Sequence, residues 1–421
     1  SASIYIGSGI KQLVSPLPKL KYFEGMKMMN DMMKMDGTMN DMGMDMSLQQ
    51  MDMNTVMYPE ITGENKPKKS KHSDHSNHTM PSSDIVTLNY TMLKSPTKTT
   101  LPKDAPIREL RFELTGNMNR YVWSMDNRVL AETDKILIKK GEIVRITLYN
   151  NSMMRHPMHL HGHDFRVING QGDYSPLKNV LDIMPMETNV IEFEANLEGD
   201  WFFHCHILYH MMAGMNRVFS TENQAPNPLL PDKKWAYKKL QRESNALHFM
   251  AQNDFATNGN DGMAMMQNAR WSFGTEWRLG YNDRHGYESE THIGRYIGKM
   301  QWLMPFIGFD WRYRKLGHNE VETNLFGQKN TKDNRTQFSL GVAYTLPMLL
   351  ILQTEIYQDG NVRIQLRRED FPLSKRFRAA FMVNTDREYM LGLNYIASKN
   401  LGFRTHYDSD MGFGVGLTFN Y

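Results

Sequence analysis

The sequence predicts an all-β protein in which a β-sandwich is followed by an antiparallel β-barrel, with a disordered methionine-rich segment ahead of both. Three observations carry this. Residues 85 to 222 are filled by short β-rich runs punctuated by Gly, Asn and Asp. From about residue 268 to the terminus, longer segments alternate apolar and polar residues with period two. Residues 25 to 58 interleave Met with Asp, Asn, Gly and Lys at no helical or strand period.

Composition bounds the answer. The chain has 421 residues, 40% hydrophobic and 23% charged, enough for at least one sizeable core. A net charge of +3 gives no sign of a nucleic-acid partner. No stretch approaches the ~18 consecutive apolar residues of a membrane-spanning helix, so only a β-barrel is left as a membrane span. The opening SASIYIGSG has neither a basic n-region nor an apolar h-region, and no signal peptide is visible in it. Two totals stand out: 35 Met and 15 His against a single Cys. Thioether, imidazole and one thiolate form the ligand set that suits copper in both oxidation states.

Residues 1 to 24 have a short strand-like start and then prolines, too little to fold alone, and read as the tail of a preceding domain. Residues 25 to 84 read as a disordered linker. Its first part carries Met28, Met29, Met32, Met33 and Met35, and its second part His72, His75 and His78. Soft thioethers on a flexible chain suit capture of Cu(I), with an apolar helix stripe or an inert linker as the alternatives. The three histidines fit weak Cu(II) sites or a solvated linker equally well.

Within residues 85 to 222, the stretch WFFHCHILYHMMAGM at 201 to 215 holds the lone cysteine. Having no disulfide partner in the chain, Cys205 is an apolar filler, a reactive thiol or a metal ligand, and its flanking imidazoles favour the last. On an extended strand, Cys205 faces one way and His204 and His206 the other, so one strand can serve two metal sites. His210 and Met215 follow at intervals of five, across a turn marked by Gly214. Cys, two His and a weak axial Met compose a blue-copper site. HPMHLHGHDF at 156 to 165 offers His156 to complete it, leaving His159 and His161 to join His204 and His206 at the second site. His163 and Asp164 match no ligand role and read as supporting or surface residues.

HPMHLHGH and HCHILYHMMAGM resemble the two copper-binding signatures of the C-terminal, Greek-key cupredoxin domain of multicopper oxidases. The resemblance implies that His156, Cys205, His210 and Met215 bind type 1 copper. It implies His159 on type 2 copper and His161, His204 and His206 on the type 3 pair, with electrons passing from Cys205 through His204 and His206 to O2. The methionine tract, LNYTML and LTGNMNRYVWSMDN further resemble the CopA copper-resistance branch. In this family the trinuclear cluster takes eight histidines, half from an N-terminal cupredoxin domain. No second pair of HxH motifs occurs in this sequence, so the other half is expected from an N-terminal cupredoxin domain or a partner chain.

After QAPNPLLPDKK, a short helical or mixed stretch (WAYKKLQRESNALHFMAQ) precedes the alternating segments. MGFGVGLTFNY sets Met411, Phe413, Val415, Leu417, Phe419 and Tyr421 on one face. The polar face elsewhere carries Arg312, Arg314, Gln353, Glu355, Arg363, Gln365, Arg367, Arg376, Arg378, Arg404 and His406. A soluble sandwich also alternates. Long segments, aromatics at strand ends and an aromatic final residue favour an outer-membrane barrel of about ten strands. Residues 226 to 421 resemble CopB-type copper-resistance outer-membrane proteins, which implies the periplasm and outer membrane of a Gram-negative bacterium. Two functions remain open: an oxidase of Cu(I) or small aromatic reductants, and a copper-sequestering protein without turnover.

Overall fold

The computed structural model describes residues 90–117, 120, 122–152, 154–225, 227–317, 321–329 and 334–421. The 1–24 tail, Met28, Met29, Met32, Met33 and Met35 of the methionine tract, and His72, His75 and His78 lie outside the described residues. The chain divides into two compact units. Of the described residues, the first takes those up to Thr115, Asp134–Met211 and Met215–Asn227; the second takes those in Gly116–Thr133, Met212–Gly214 and Pro228–Tyr421.

Among the described residues, eleven short strands build two sheets with a cupredoxin-like arrangement. They are β1 (Ile107–Asn117), β2 (Val122–Met125), β3 (Ile136–Ile138), β4 (Ile143–Asn150), β5 (His156–Leu160), β6 (Phe165–Val167), β7 (Leu177–Lys178), β8 (Val180–Ile183), β9 (Thr188–Glu194), β10 (Asp200–Cys205) and β11 (Asn216–Thr221). One sheet runs β2-β1-β4-β9-β6-β7, the other β3-β11-β10-β5-β8. Two of the strand pairs are parallel, β1 with β4 and β3 with β11. Each of those pairs is separated in sequence by other strands, the long connection that parallel pairing requires.

Alternation explains the core. In β4 (IVRITLYN) Val144, Ile146 and Leu148 are fully buried while Arg145, Thr147 and Tyr149 are half-buried. Phe203 meets Phe219 of the neighbouring strand β11 at 5.7 Å between ring centroids, and across the gap Phe219 meets Phe193 of β9 at 6.0 Å. These rings fix the strand that carries Cys205, because a close-packed aromatic layer leaves no room for β10 to slide.

After the second sheet, α2 (Lys233–Ser244) starts where Asp232 accepts a hydrogen bond from the Trp235 amide at 2.8 Å, an N-cap; α1 is the short turn Leu208–Met212. Twelve strands among the described residues then close an antiparallel barrel. They are β12 (His248–Ala256), β13 (Gly259–Gln267), β14 (Trp271–Gly280), β15 (Tyr287–Arg295), β16 (Leu303–Tyr313), β17 (Asn334–Leu346), β18 (Leu350–Tyr357), β19 (Val362–Pro372), β20 (Phe377–Asn384), β21 (Tyr389–Ile396), β22 (Leu401–Asp408) and β23 (Gly412–Asn420). The last strand pairs with the first, Gln252 opposite Asn420 and Ala256 opposite Gly416, so no edge is left open.

The barrel is apolar outside and polar inside, the reverse of a soluble sandwich. Phe413, Val415, Leu417, Phe419 and Tyr421 are exposed, while Arg312, Gln353, Glu355, Arg363, Gln365 and His406 are buried in the lumen. Arg312 reaches Glu288 at 2.7 Å, Glu290 at 2.8 Å, Asp310 at 3.0 Å and Glu388 at 3.1 Å. Arg335 joins Asp310 at 3.0 Å, and Arg363 joins Glu355 at 3.3 Å. A lumenal cavity of about 440 Å³ is lined by Asp254, Glu276, Glu290, Arg367 and Arg404 among others.

Two residues depart from the face assigned by sequence. Met411 is buried in the turn before β23, and Arg376 is exposed in the turn before β20, where it donates to the Ile396 and Ala397 carbonyls. Both lie just outside a strand, where period-two alternation no longer dictates direction. The count of twelve exceeds the expected ten because β12 and β13 lie ahead of residue 268, where the alternating segments begin. GNDGMAMMQ has no β-branched or aromatic residue, and its strand state comes from pairing on both sides.

Candidate metal centre

The site follows from one register. β10 pairs antiparallel with β5 so that His204 stands opposite His159 and Cys205 opposite Met158. Directly opposed residues share a face, and successive residues alternate. His159 and His204 therefore lie on one side of the sheet. Cys205 lies on the other, with His156, two residues before Met158.

On the Cys205 side the donor atoms converge. Cys205 Sγ is 3.6 Å from His156 Nδ1 and 3.6 Å from His210 Nδ1, and the two nitrogens are 3.1 Å apart. All three residues are fully buried. A point about 2.0 Å from all three atoms sits at the centre of this triangle, the length of a metal–imidazole bond. α1 supplies His210, and the turn after it closes on the strand: the Met215 amide donates to the His210 carbonyl at 3.0 Å, and the Cys205 amide to the Met215 carbonyl at 3.1 Å. The Met215 side chain is fully buried.

Ser152 was not singled out in the sequence. Its hydroxyl lies 2.8 Å from Asn150 Oδ1, to which it donates, and 2.7 Å from His156 Nε2. With the hydroxyl proton spent on Asn150, Ser152 Oγ accepts from His156 Nε2–H, which leaves the Nδ1 lone pair aimed at the centre. No motif signals this role, since a serine four residues before a histidine is unremarkable in a loop.

Burial sets the charge state of the metal-free pocket. It pushes the Cys205 thiol up to about 12, against a weaker pull from a backbone hydrogen bond at Ile207. It lowers His156 to about 3, helped by neighbouring His210, and His210 itself to about 4. The pocket is thus two neutral imidazoles and a neutral thiol, a donor set that fits a soft or borderline metal able to displace one proton.

On the opposite side, ligand nitrogens of His159, His161 and His204 all lie within 4.8 Å of one another. His159 Nδ1 donates to the Asn179 carbonyl at 2.7 Å and His204 Nδ1 to the Cys205 carbonyl at 3.0 Å. Both rings thereby present Nε2 as an acceptor. His161 Nε2 stands 3.0 Å from His204 Nε2. Burial lowers His161 and His204, and the neighbouring histidines add to it. His206 is exposed, its ring 5.5 Å from that of His159 and 5.8 Å from that of His204. His163 joins neither group: it is buried against the rings of Phe193 and Trp201, at 4.9 and 5.5 Å, while Asp164 is exposed.

Residues 104–225 match the multicopper oxidase family. The matched span contains both histidine clusters and Cys205. It is 38% identical over 117 residues to "Copper resistance protein A" of Pseudomonas syringae pv. tomato, covering 28% of this chain and 19% of that one. It is 31% identical over 124 residues to "Multicopper oxidase MmcO" of Mycobacterium tuberculosis, covering 30% and 25%. Among solved structures, the McoA multicopper oxidase of Aquifex aeolicus is 25% identical over 30% of this chain and 31% of its own, with a TM-score of 0.26. The chain spans about a fifth of the length of the curated copper resistance proteins it matches.

Proposed function

We propose that this protein is a copper-resistance factor in which a multicopper oxidase domain is tethered to the outer membrane by its barrel. The observation that carries the reading is the Cys205–His156–His210 triangle on one face of β10, with the His159–His161–His204 group on the other. In this reading His156, Cys205, His210 and Met215 hold type 1 copper. His159 holds type 2 copper, and His161, His204 and His206 hold their half of the type 3 pair. Copper bound there supplies one-electron transfer from a reductant toward O2.

The chain's own residues connect the two sites. Cys205 is bonded through its backbone to His204 and His206, and its carbonyl also accepts the His204 Nδ1 proton at 3.0 Å. That contact shortens the route from sulfur to imidazole. Ser152 orients His156, and Asn179 orients His159. The substrate is Cu(I), delivered by the methionines of residues 25 to 58, or a small aromatic reductant. The remaining cluster ligands come from an N-terminal cupredoxin domain or a partner chain.

The barrel supports placement in the outer membrane of a Gram-negative bacterium, with the copper domain in the periplasm: its strands are 8 to 13 residues long, near the span of a bilayer core, and its outward face is apolar. A copper store without turnover is the second reading, favoured by the presence of only four cluster histidines on this sheet.

Copper loading followed by absorption spectroscopy tests the first step. The chain should show an intense thiolate charge-transfer band that Cys205→Ser abolishes; a band surviving that change refutes the type 1 assignment. Oxygen uptake on adding Cu(I), present only when an N-terminal cupredoxin domain is supplied, supports the shared cluster. No uptake under either condition favours the store.

A further inference from the structure

The two ends of the barrel differ in charge. At the end where β12 begins and β23 stops, short turns join the strands at residues 268–270, 296–302, 347–349, 373–376 and 397–400. None of these turns contains Asp or Glu, while Lys299, Lys375, Arg376 and Lys399 stand exposed in them. Arg295, the last residue of β15, is exposed at the same end with its guanidinium 5.6 Å from the centre of the Trp271 ring. Glu369 and Asp370, close to this end of β19, line the lumenal cavity and are paired there, with Arg367 at 3.3 Å and Arg378 at 2.9 Å. The connections at the opposite end carry carboxylates, Asp283, Glu322, Asp359 and Asp410 among them.

α2 belongs to the basic end. The carbonyl of Asn245, just past its last residue, accepts from Asn268 Nδ2 of the first turn at 3.4 Å. One face of the helix is held: Tyr237 Oη and Gln241 Nε2 donate to the Thr133 carbonyl at 3.0 and 2.9 Å. Helical spacing puts Lys234, Trp235, Lys238, Lys239 and Arg242 on the other face, and all of them are exposed. Among the described residues, only Lys239 of these four cations has a carboxylate within reach, Glu243 at 3.9 Å.

We propose that this rim, the outward face of α2 together with the cations of the short turns, docks on anionic phospholipid headgroups of the leaflet at that end of the barrel. The proposal rests on the membrane placement above and names what the rim touches there. Short turns mark the periplasmic side of such a barrel. Trp271, Trp302, Phe377 and Tyr421 are exposed at the strand ends on this side, and aromatic rings so placed sit at headgroup level. The cations adjoin them, Arg376 next to Phe377 and Lys299 shortly before Trp302, at the depth of the lipid phosphates. A site for free phosphate needs only the lysines. Trp235, 55% exposed between the lysines of α2, adds an amphipathic ring suited to the interface itself. Clusters of Lys and Arg beside a membrane span attract anionic lipid in this way.

The test uses the full chain in neutral detergent, titrated with short-chain phosphatidylglycerol or phosphatidylcholine, bound lipid being counted by native mass spectrometry. Phosphatidylglycerol should bind about 25-fold tighter, two cations per headgroup at roughly fivefold each. Lys234→Gln with Lys238→Gln, and separately Lys375→Gln with Lys399→Gln, should each cut that preference about fivefold, and all four together should abolish it. Molar salt should erase it without any substitution. Lys315→Gln with Lys329→Gln, exposed at the opposite end, should leave it unchanged. Equal affinities for the two lipids overturn the proposal, as does an equal loss in the opposite-end pair. Glycerol phosphate binding as tightly as phosphatidylglycerol also overturns it, in favour of a free-phosphate site. A glutamate-rich peptide that binds the rim more tightly than phosphatidylglycerol, and is lost with the same pairs, overturns it in favour of a protein partner. A chain that inserts into phosphatidylcholine vesicles yet shows no lipid preference sinks this inference and leaves the membrane reading standing; a chain that does not insert refutes both.

Discussion

Copper binding at Cys205 should release a single proton across a wide pH range. Burial places the Cys205 thiol near 12, so at pH 7 ionising it costs about 7 kcal/mol, which a bound metal must offset. His156 and His210, lowered to about 3 and about 4, are already neutral above pH 5 and surrender no proton there. The apparent affinity, followed by the thiolate band in competition with a chelator, should rise about tenfold per pH unit from 5 to 9. Below pH 4 the slope should steepen toward two and then three as the imidazoles begin to hold protons. A pH-independent affinity would mean that the thiol is ionised before metal arrives, refuting the claim that burial governs the pocket. A slope of two at pH 7 would mean that a histidine is protonated there, with the same consequence.

Further outcomes follow from the same structure. Both buried histidines lie below their unfolded value, so their contribution to copper-free stability is complete above pH 6.5 and is lost as pH falls. Between pH 6.5 and 5 the loss is about 3 kcal/mol for the pair, measurable by urea unfolding of the copper-free chain. Ser152→Ala, which removes the acceptor for His156 Nε2–H, should weaken copper binding 10- to 100-fold with the fold intact, as read by chelator competition. Arg312→Ala leaves Glu288, Glu290, Asp310 and Glu388 without a shared cation and should destabilise the barrel by about 3–5 kcal/mol, seen as loss of heat-modifiable migration in detergent. Deleting residues 25 to 58 should raise KM for Cu(I) and leave phenolic substrates unaffected in steady-state oxygen uptake; equal kinetics would remove the methionine tract from the mechanism.

Much of the candidate site was legible because metal ligands are few in kind and β-strand geometry is strict. The HCH triplet revealed two faces, and the opposition of Cys205 with Met158 and of His204 with His159 is that alternation realised across a strand pair. Ser152 and Asn179 escaped notice because an orienting hydrogen bond imposes no spacing on the sequence. The inside-out character of the barrel was suggested by aromatic alternation, and its closure through β12 and β23 settled which face is which. β12 and β13 were missed because Asn, Asp, Gly and Met are poor strand formers alone, and only the neighbouring strands draw them into the sheet.

Because a single pleat feeds two opposed pockets, the strand tolerates no change of phase. Inserting one residue between Phe203 and Cys205 would turn sulfur toward the imidazole cluster and imidazole toward the thiol's pocket, dismantling both centres in one step. Evolution can therefore trade side chains along this strand, while its length between the aromatic layer and the metal is frozen.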